Sequence, residues 1–182
     1  MYLKNRYTSN VYYVRSLCLD ADVRRGEYQK PFDGKLDYDY IMWIDSDILF
    51  TTEQFDKLLS NNVDICGGLY LMDGGQQFTV VKDWDESTFQ KNGRFDFLTP
   101  DDISKSPRLM EVAYTGLGFL MVKRGVFEKI KYPWFGPKYI NIGQCHDFAS
   151  EDVSFCIRAR EAGFKIHIDP TVWVRHEKTI KY

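Results

Sequence analysis

Residues 39–50 read DYIMWIDSDILF, and the fold turns on how that run is read. Ile41 to Ile44, followed by Ile48, have the apolar character of a buried strand. Asp45 and Asp47 break the run where it should continue. Carboxylates there would stand on the strand's lip, and in open α/β sheets ligands bind beyond the carboxyl ends of the strands. Alternation along an extended chain would point Asp45 and Asp47 the same way, with Ser46 opposite. Two like charges so placed repel, and a divalent cation with oxygen ligands relieves the repulsion. The alternative is an Asx-type turn leading into the next helix, a common use of Asp at strand ends. The triplet alone does not choose, because Asp-x-Asp also occurs at Asp20/Asp22, Asp37/Asp39 and Asp83/Asp85. Only Asp45/Asp47 directly follows a buried strand.

Working outward, Thr51 with Gln54 forms a capping-box pattern, and Phe55, Leu58 and Leu59 supply the apolar face of the helix it starts. Upstream, Val11, Val14, Leu17 and Cys18 recur at helical spacing and predict an amphipathic helix over 10–20. Downstream, VDICGGLYLM (63–72) and 77–82 read as strands, the first interrupted by Gly67 and Gly68. Residues 83–108 are polar and contain Gly93, Pro100 and Pro107, so a long surface excursion is expected. Apolar segments flank Gly116 and Gly118 within 109–122, and Val126 opens a short helix stopped by Pro133. A loop over 133–148 follows. Ser150 caps a helix over 151–162 ended by Gly163, and two strands, 164–168 and 171–174, close the pattern around Asp169 and Pro170. Strands alternating with helices predict a single α/β domain over 1–182, a three-layer sandwich with a mixed, mostly parallel sheet.

Composition narrows the partners. The chain has 182 residues, 44% of them hydrophobic, enough for one sizeable core, and a formal net charge of −2. That charge argues against nucleic acid or an anionic membrane as the main partner. Cys18, Cys66, Cys145 and Cys156 form no CxxC pair, so reduced thiols are expected rather than a zinc site or disulfide framework. No leader pattern and no apolar run of bilayer-spanning length is present, which points to a cytoplasmic protein without a transmembrane segment.

Three further stretches bear on function: AYTGLGFLMVKRGVF (113–127), SEDVSFCIRAREAGF (150–164) and VWVRHEK (172–178). With IDSDILF, and in this order, they resemble the GT-A fold glycosyltransferases, in particular the family 2-like group that uses nucleotide-diphosphate sugars. The resemblance spans about residues 38–178. It implies a donor site at Asp45, Asp47, Gly116 and Gly118. Asp47 would ligate Mn²⁺ or Mg²⁺, with Asp45 beside the donor ribose or a metal-bound water and His176 completing the metal site. Glu151 and Asp152 match the acidic pair of the inverting members. Asp152 is then the base that deprotonates the acceptor hydroxyl, and Glu151 binds that hydroxyl.

Each residue also has a plainer reading. Acids in a helix's first turn favour the macrodipole whatever the function. A lone His is usually no ligand, and His176 taken alone, beside Arg175 and Lys178, reads first as a surface or interface residue. Gly116 and Gly118 can let a donor or acceptor approach the backbone, or can mark a bulge. Trp134 can stack on an acceptor sugar or plug the core. Arg158 and Arg160 reach a diphosphate only if their helix face turns inward.

The resemblance has one gap. The family begins its nucleotide-binding half with a strand, whereas the first periodicity here is helical. Either the chain is a fragment truncated on that side, or it is a trimmed enzyme that holds its donor through diphosphate and metal. Two alternatives follow: a non-catalytic sugar- or nucleotide-binding module of the same fold, and a haloacid-dehalogenase-type phosphatase with Asp45 as nucleophile. The phosphatase signature expects Thr or Val where Leu49 stands.

Overall fold

The computed structural model describes residues 1–72, 74–104 and 109–177. Helix α1 spans Val11–Cys18, strand β1 Tyr40–Ile44, β2 Ile48–Leu49, α2 Thr52–Ser60, β3 Ile65–Leu69 and β4 Val80–Val81. There follow α3 (Glu86–Asn92), α4 (Pro100–Ile103), β5 (Met110–Val112), β6 (Tyr114–Thr115), β7 (Phe119–Lys123) and α5 (Val126–Lys129). The chain continues through β8 (Lys138–Ile142), β9 (Cys145–Ala149), α6 (Glu151–Glu161), β10 (Ile166–Trp173) and β11 (Arg175–His176).

A five-stranded sheet in the order β1-β7-β3-β10-β5 forms the centre. Only β3 and β10 run parallel; β1–β7, β7–β3 and β10–β5 are antiparallel. The mixed α/β expectation therefore holds, and the mostly parallel sheet is corrected. The reason lies in β7, which returns between β1 and β3, so strand neighbours in space are not the neighbours in sequence that a helix-alternating pattern suggests. Pairs β11–β2, β4–β6 and β8–β9 add three small antiparallel ladders.

Side chains alternate between two buried clusters. Ile65, Leu69, Leu120, Val122, Ile166 and Ile168 face the larger one, where Phe127, Trp134, Phe135 and Phe155 also lie. Cys66, Phe119, Met121 and Val172 face the smaller one, with Leu58 of α2 and Ile48. This period-2 division explains why the strands read as near-continuous apolar runs. Helix α2 starts on the expected capping box: Thr51 and Gln54 exchange side chain to backbone hydrogen bonds.

Several local expectations are revised. Residues 83–104 do not form a mere surface excursion, since Phe89, Phe95, Leu98 and Ile103 enter the core, and Leu98 exchanges backbone hydrogen bonds with Phe78 and Val80. The remainder of that segment, with Pro107, lies outside the described residues. The loop expected over 133–148 contains the β8–β9 hairpin. The two closing strands are one strand, β10, with an irregularity at Asp169 and Pro170. Pro170 cannot donate to a ladder, and buried Asp169 restores polar contact there: Oδ1 accepts from Thr171 N–H at 2.9 Å and Oδ2 from Asn61 Nδ2 at 2.8 Å.

Burial pushes the thiols of Cys66 and Cys156 up to about 12, and all four cysteines are free, as reduced thiols should be. Among the described residues, no helix is long and apolar enough to cross a membrane.

Leu120 and Met121 are adjacent on β7 but face opposite clusters. Each replaced by Ala is expected to cost about 2–5 kcal/mol in urea unfolding. A sheet covered on one face only would leave one of the two within about 0.5 kcal/mol of the parent.

Candidate functional site

The lip of the sheet is built by β1 and β7. Their ladder runs one bond past Ile44, with Asp45 N–H donating to Gly118 O at 2.9 Å. The chain then turns, Ile48 N–H donating to Asp45 O at 3.1 Å, and emerges as β2. Asp45 and Asp47 therefore sit in a tight turn rather than on one extended face, and they go to different partners.

Asp45 meets Arg15. One guanidinium nitrogen lies 3.0 Å from Oδ1 and 3.1 Å from Oδ2, while Arg15 Nε lies 3.6 Å from Glu151 Oε1. Arg15 is only 6% exposed and rests on the Trp43 ring, 5.6 Å from its centroid. Helix α1 is thus turned differently from its periodicity: Val11 and Leu17 are exposed, and Arg15 and Ser16 face inward. Periodicity counts apolar side chains and is blind to a cation that buries by pairing.

Asp47 meets His176. The ladder of β2 with β11 brings them together, Glu177 N–H donating to Asp47 O at 2.7 Å. His176 Nε2 stands 2.9 Å from Asp47 Oδ2, and Nδ1 stands 3.2 Å from Leu71 O. A backbone carbonyl can only accept, so Nδ1 carries a proton. Nε2 of a neutral ring then presents a lone pair to a carboxylate, and two acceptors cannot hold each other without a proton or a metal cation between them. A carbonyl on the far nitrogen is also the usual support of a metal-bound His.

The three-ligand site Asp45, Asp47 and His176 is not assembled as expected. Asp47 and His176 come together, Asp45 is taken by Arg15, and among the described residues no three His, Cys, Asp or Glu side chains gather as a metal cage.

At the start of α6, Ser150 does not cap the helix with its side chain; its hydroxyl donates to Asp152 Oδ1 instead. Glu151 titrates above its ordinary value because burial disfavours its charge and Asp152 stands beside it, with Arg15 pulling the other way. Arg158 is half-buried and donates to Gly136 O at 3.3 Å.

Gly116 and Gly118 do admit a close approach, but by this chain's own Tyr70. A Cβ at Gly116 would stand 2.2 Å from the Tyr70 hydroxyl, and one at Gly118 2.9 Å from its ring carbon Cζ. Gly118 N–H donates to Tyr70 Oη at 3.0 Å. The two glycines therefore seat Tyr70, and the direct donor contact expected of them is corrected. Burial above all, then the charges of Asp45 and Asp152, push the Tyr70 phenol up to about 12, so it stays neutral, with its ring edge-on to His176 at 5.4 Å.

Trp134 is also corrected. It is 0% exposed, its Nε1 donates to Phe127 O at 3.0 Å, and the Phe127 ring lies 6.1 Å away, so it plugs the core and offers no face to an acceptor. Arg15, Tyr70 and the Leu71 carbonyl were the unforeseen members. Tyr70 follows β3 directly, and its place at that strand's end was the one signal available.

No family model matches the sequence, and no curated protein matches it. Among solved structures, the crystal structure of A197 from STIV aligns over 96% of this chain and 82% of its own, with a TM-score of 0.52 and 19% identity. The likeness concerns the fold.

A carboxylate whose folded-state value is raised binds its proton more tightly in the native than in the unfolded chain. Stability is then lost as pH rises from the unfolded value, about 4.3, through the folded one. Glu151→Gln removes that loss. Relative to the parent, the variant should gain stability in urea titrations as pH rises from the unfolded carboxylate range through the raised value of Glu151; a gap independent of pH would contradict the assignment.

Proposed function

We propose that this chain is a metal-dependent glycosyltransferase of the GT-A, three-layer type, moving a sugar from a nucleotide-diphosphate donor to a hydroxyl acceptor with inversion. The observation that carries the reading is the Asp47–His176 pair, with Nδ1 committed to Leu71 O and Nε2 turned to a carboxylate on the strand lip. Glu151 lies alongside Asp45, on the shared Arg15. Mn²⁺ or Mg²⁺ is the cation proposed: Mg²⁺ is usually held by one or two carboxylates plus substrate phosphates rather than by an all-protein cage, and Asp47 supplies one such carboxylate with His176 beside it.

Asp47 and His176 would hold the cation. A cation held there would supply positive charge to offset the negative charge developing on the departing nucleoside diphosphate. Glu151 positions the acceptor hydroxyl, and Arg15 fixes Glu151 and Asp45 against each other. Asp152 takes the hydroxyl proton as its oxygen bonds to the anomeric carbon. On the opposite side the bond from that carbon to the phosphate oxygen breaks, its electron pair leaving with the diphosphate.

A second reading, a binding module without turnover, draws on the commitment of Asp45 to Arg15, which leaves two protein ligands rather than three. The same commitment weakens the phosphatase reading, whose nucleophile Asp45 would be.

A panel of nucleoside diphosphates with and without Mn²⁺ tests the reading by thermal unfolding. At 100 times Kd a ligand adds about 2.7 kcal/mol, or roughly 5–10 °C for a domain of this size. The shift should need Mn²⁺ and disappear in Asp47→Ala. No Mn²⁺-dependent shift with any nucleotide, or an equal shift in Asp47→Ala, would contradict it. Binding that persists in Asp152→Asn while sugar transfer is lost separates the enzyme from the module.

A further inference from the structure

A second concavity lies beside the start of α6, lined by the chain neighbours of Glu151 and Asp152. This cavity, of about 240 Å³, lies between α3, the segment 93–97 and the β8–β9 hairpin, and its lining reaches Ser150 and Val153, the residues on either side of that pair. Its wall is aromatic. The Tyr114 ring has Trp84, Phe95 and Phe97 around it at centroid distances of 6.4, 6.3 and 6.1 Å. Phe148 of β9 also lines the cavity and is 56% exposed. Arg94 and Asp147 bring one charge of each sign to the lining, and both are exposed.

Size and charge select among ligands. Pockets for drug-sized molecules run from about 300 to 1,000 Å³, so this cavity takes a single ring and not a nucleotide sugar. Arg94 and Asp147 cancel, and the neighbouring Glu151 and Asp152 repel phosphates, so a neutral ligand is favoured. Aromatic faces take an apolar C–H surface, while a carboxylate, a guanidinium and the Ser150 hydroxyl meet hydroxyl groups. Tyr114 is buried, and its phenol is pushed well up, first by burial and then by the charges of Asp152, Cys156 and Asp147; Asp147 itself lines the cavity, and the Ser150 hydroxyl on its lining donates to Asp152. The larger concavity, about 580 Å³, opens by Tyr40 and Lys123, at the opposite end of β1 and β7 from Asp45, and has no part in this chemistry.

We propose that the cavity walled by Trp84, Phe97, Tyr114 and Phe148 binds a neutral pyranose, its ring on the aromatic wall and a hydroxyl directed toward Glu151 and Asp152. Its role as the acceptor subsite rests on the transferase reading; the binding of a sugar ring does not.

Saturation-transfer NMR on the full chain tests it, using the methyl pyranosides of glucose, galactose and mannose, with uridine as a flat control and no metal present. At least one glycoside should receive saturation on the C–H protons of one ring face. Binding should weaken roughly tenfold in Phe148→Ala, the scale of losing one stacked ring, and also in Asp147→Ala. Both positions are exposed, and circular dichroism checks that each variant folds. No transfer to any glycoside, transfer to uridine alone, or equal transfer in both variants overturns the proposal. Failure is separable from that of the transferase reading: glycoside contact without any nucleotide–Mn²⁺ stabilisation removes the acceptor role and keeps the sugar site, and the converse removes the sugar site alone.

Discussion

Burial of one guanidinium organises the functional end of this protein. Arg15 comes from α1, lies over Trp43, and sets its charge between Asp45 at the end of β1 and Glu151 at the start of α6. A cation removed from water costs several kcal/mol unless paired, so the two acids and the helix must meet for the fold to close here. The pairing joins three segments far apart in sequence. It also divides the acidic pair on the lip, because Asp45 is compensated internally and Asp47 is left to His176.

The second division is made by backbone. β2 and β11 form a two-residue ladder that sets His176 against the turn bearing Asp47, and the Leu71 carbonyl fixes which nitrogen faces it. Tyr70, seated where Gly116 and Gly118 leave room, stacks edge-on beneath the imidazole. The ring is therefore held on two sides by groups with no charge of their own. Such support keeps the imidazole oriented toward the Asp47 carboxylate.

Much of this was legible in the chain. The apolar run ending on carboxylates located the lip, Thr51 and Gln54 located α2, and the acids after Ser150 located the start of α6. What escaped was non-local. Strand β7 inserts antiparallel between β1 and β3, and no periodicity within β7 encodes which neighbours it takes. The facing of α1 was misread because a buried Arg does not register in an apolar pattern. Gly116 and Gly118 were seen as special, but the group that fills their space comes from a distant strand end, and Trp134 gave no sign in its neighbours that it points inward. Phe148 and Asp147 went unnoticed as lining residues because the β8–β9 hairpin was read as a loop.

On the proposed reading, the Asp47–His176 pair would hold a cation together with a diphosphate. Anomalous diffraction at the manganese edge, from crystals grown with Mn²⁺ and a nucleoside diphosphate, tests it most directly. The expected result is an anomalous peak between the Asp47 carboxylate and His176 Nε2, with His176 Nδ1 still on Leu71 O and Asp45 still on Arg15. Nucleotide density without manganese there, or manganese bound elsewhere while His176 and Asp47 stay hydrogen-bonded, would contradict it.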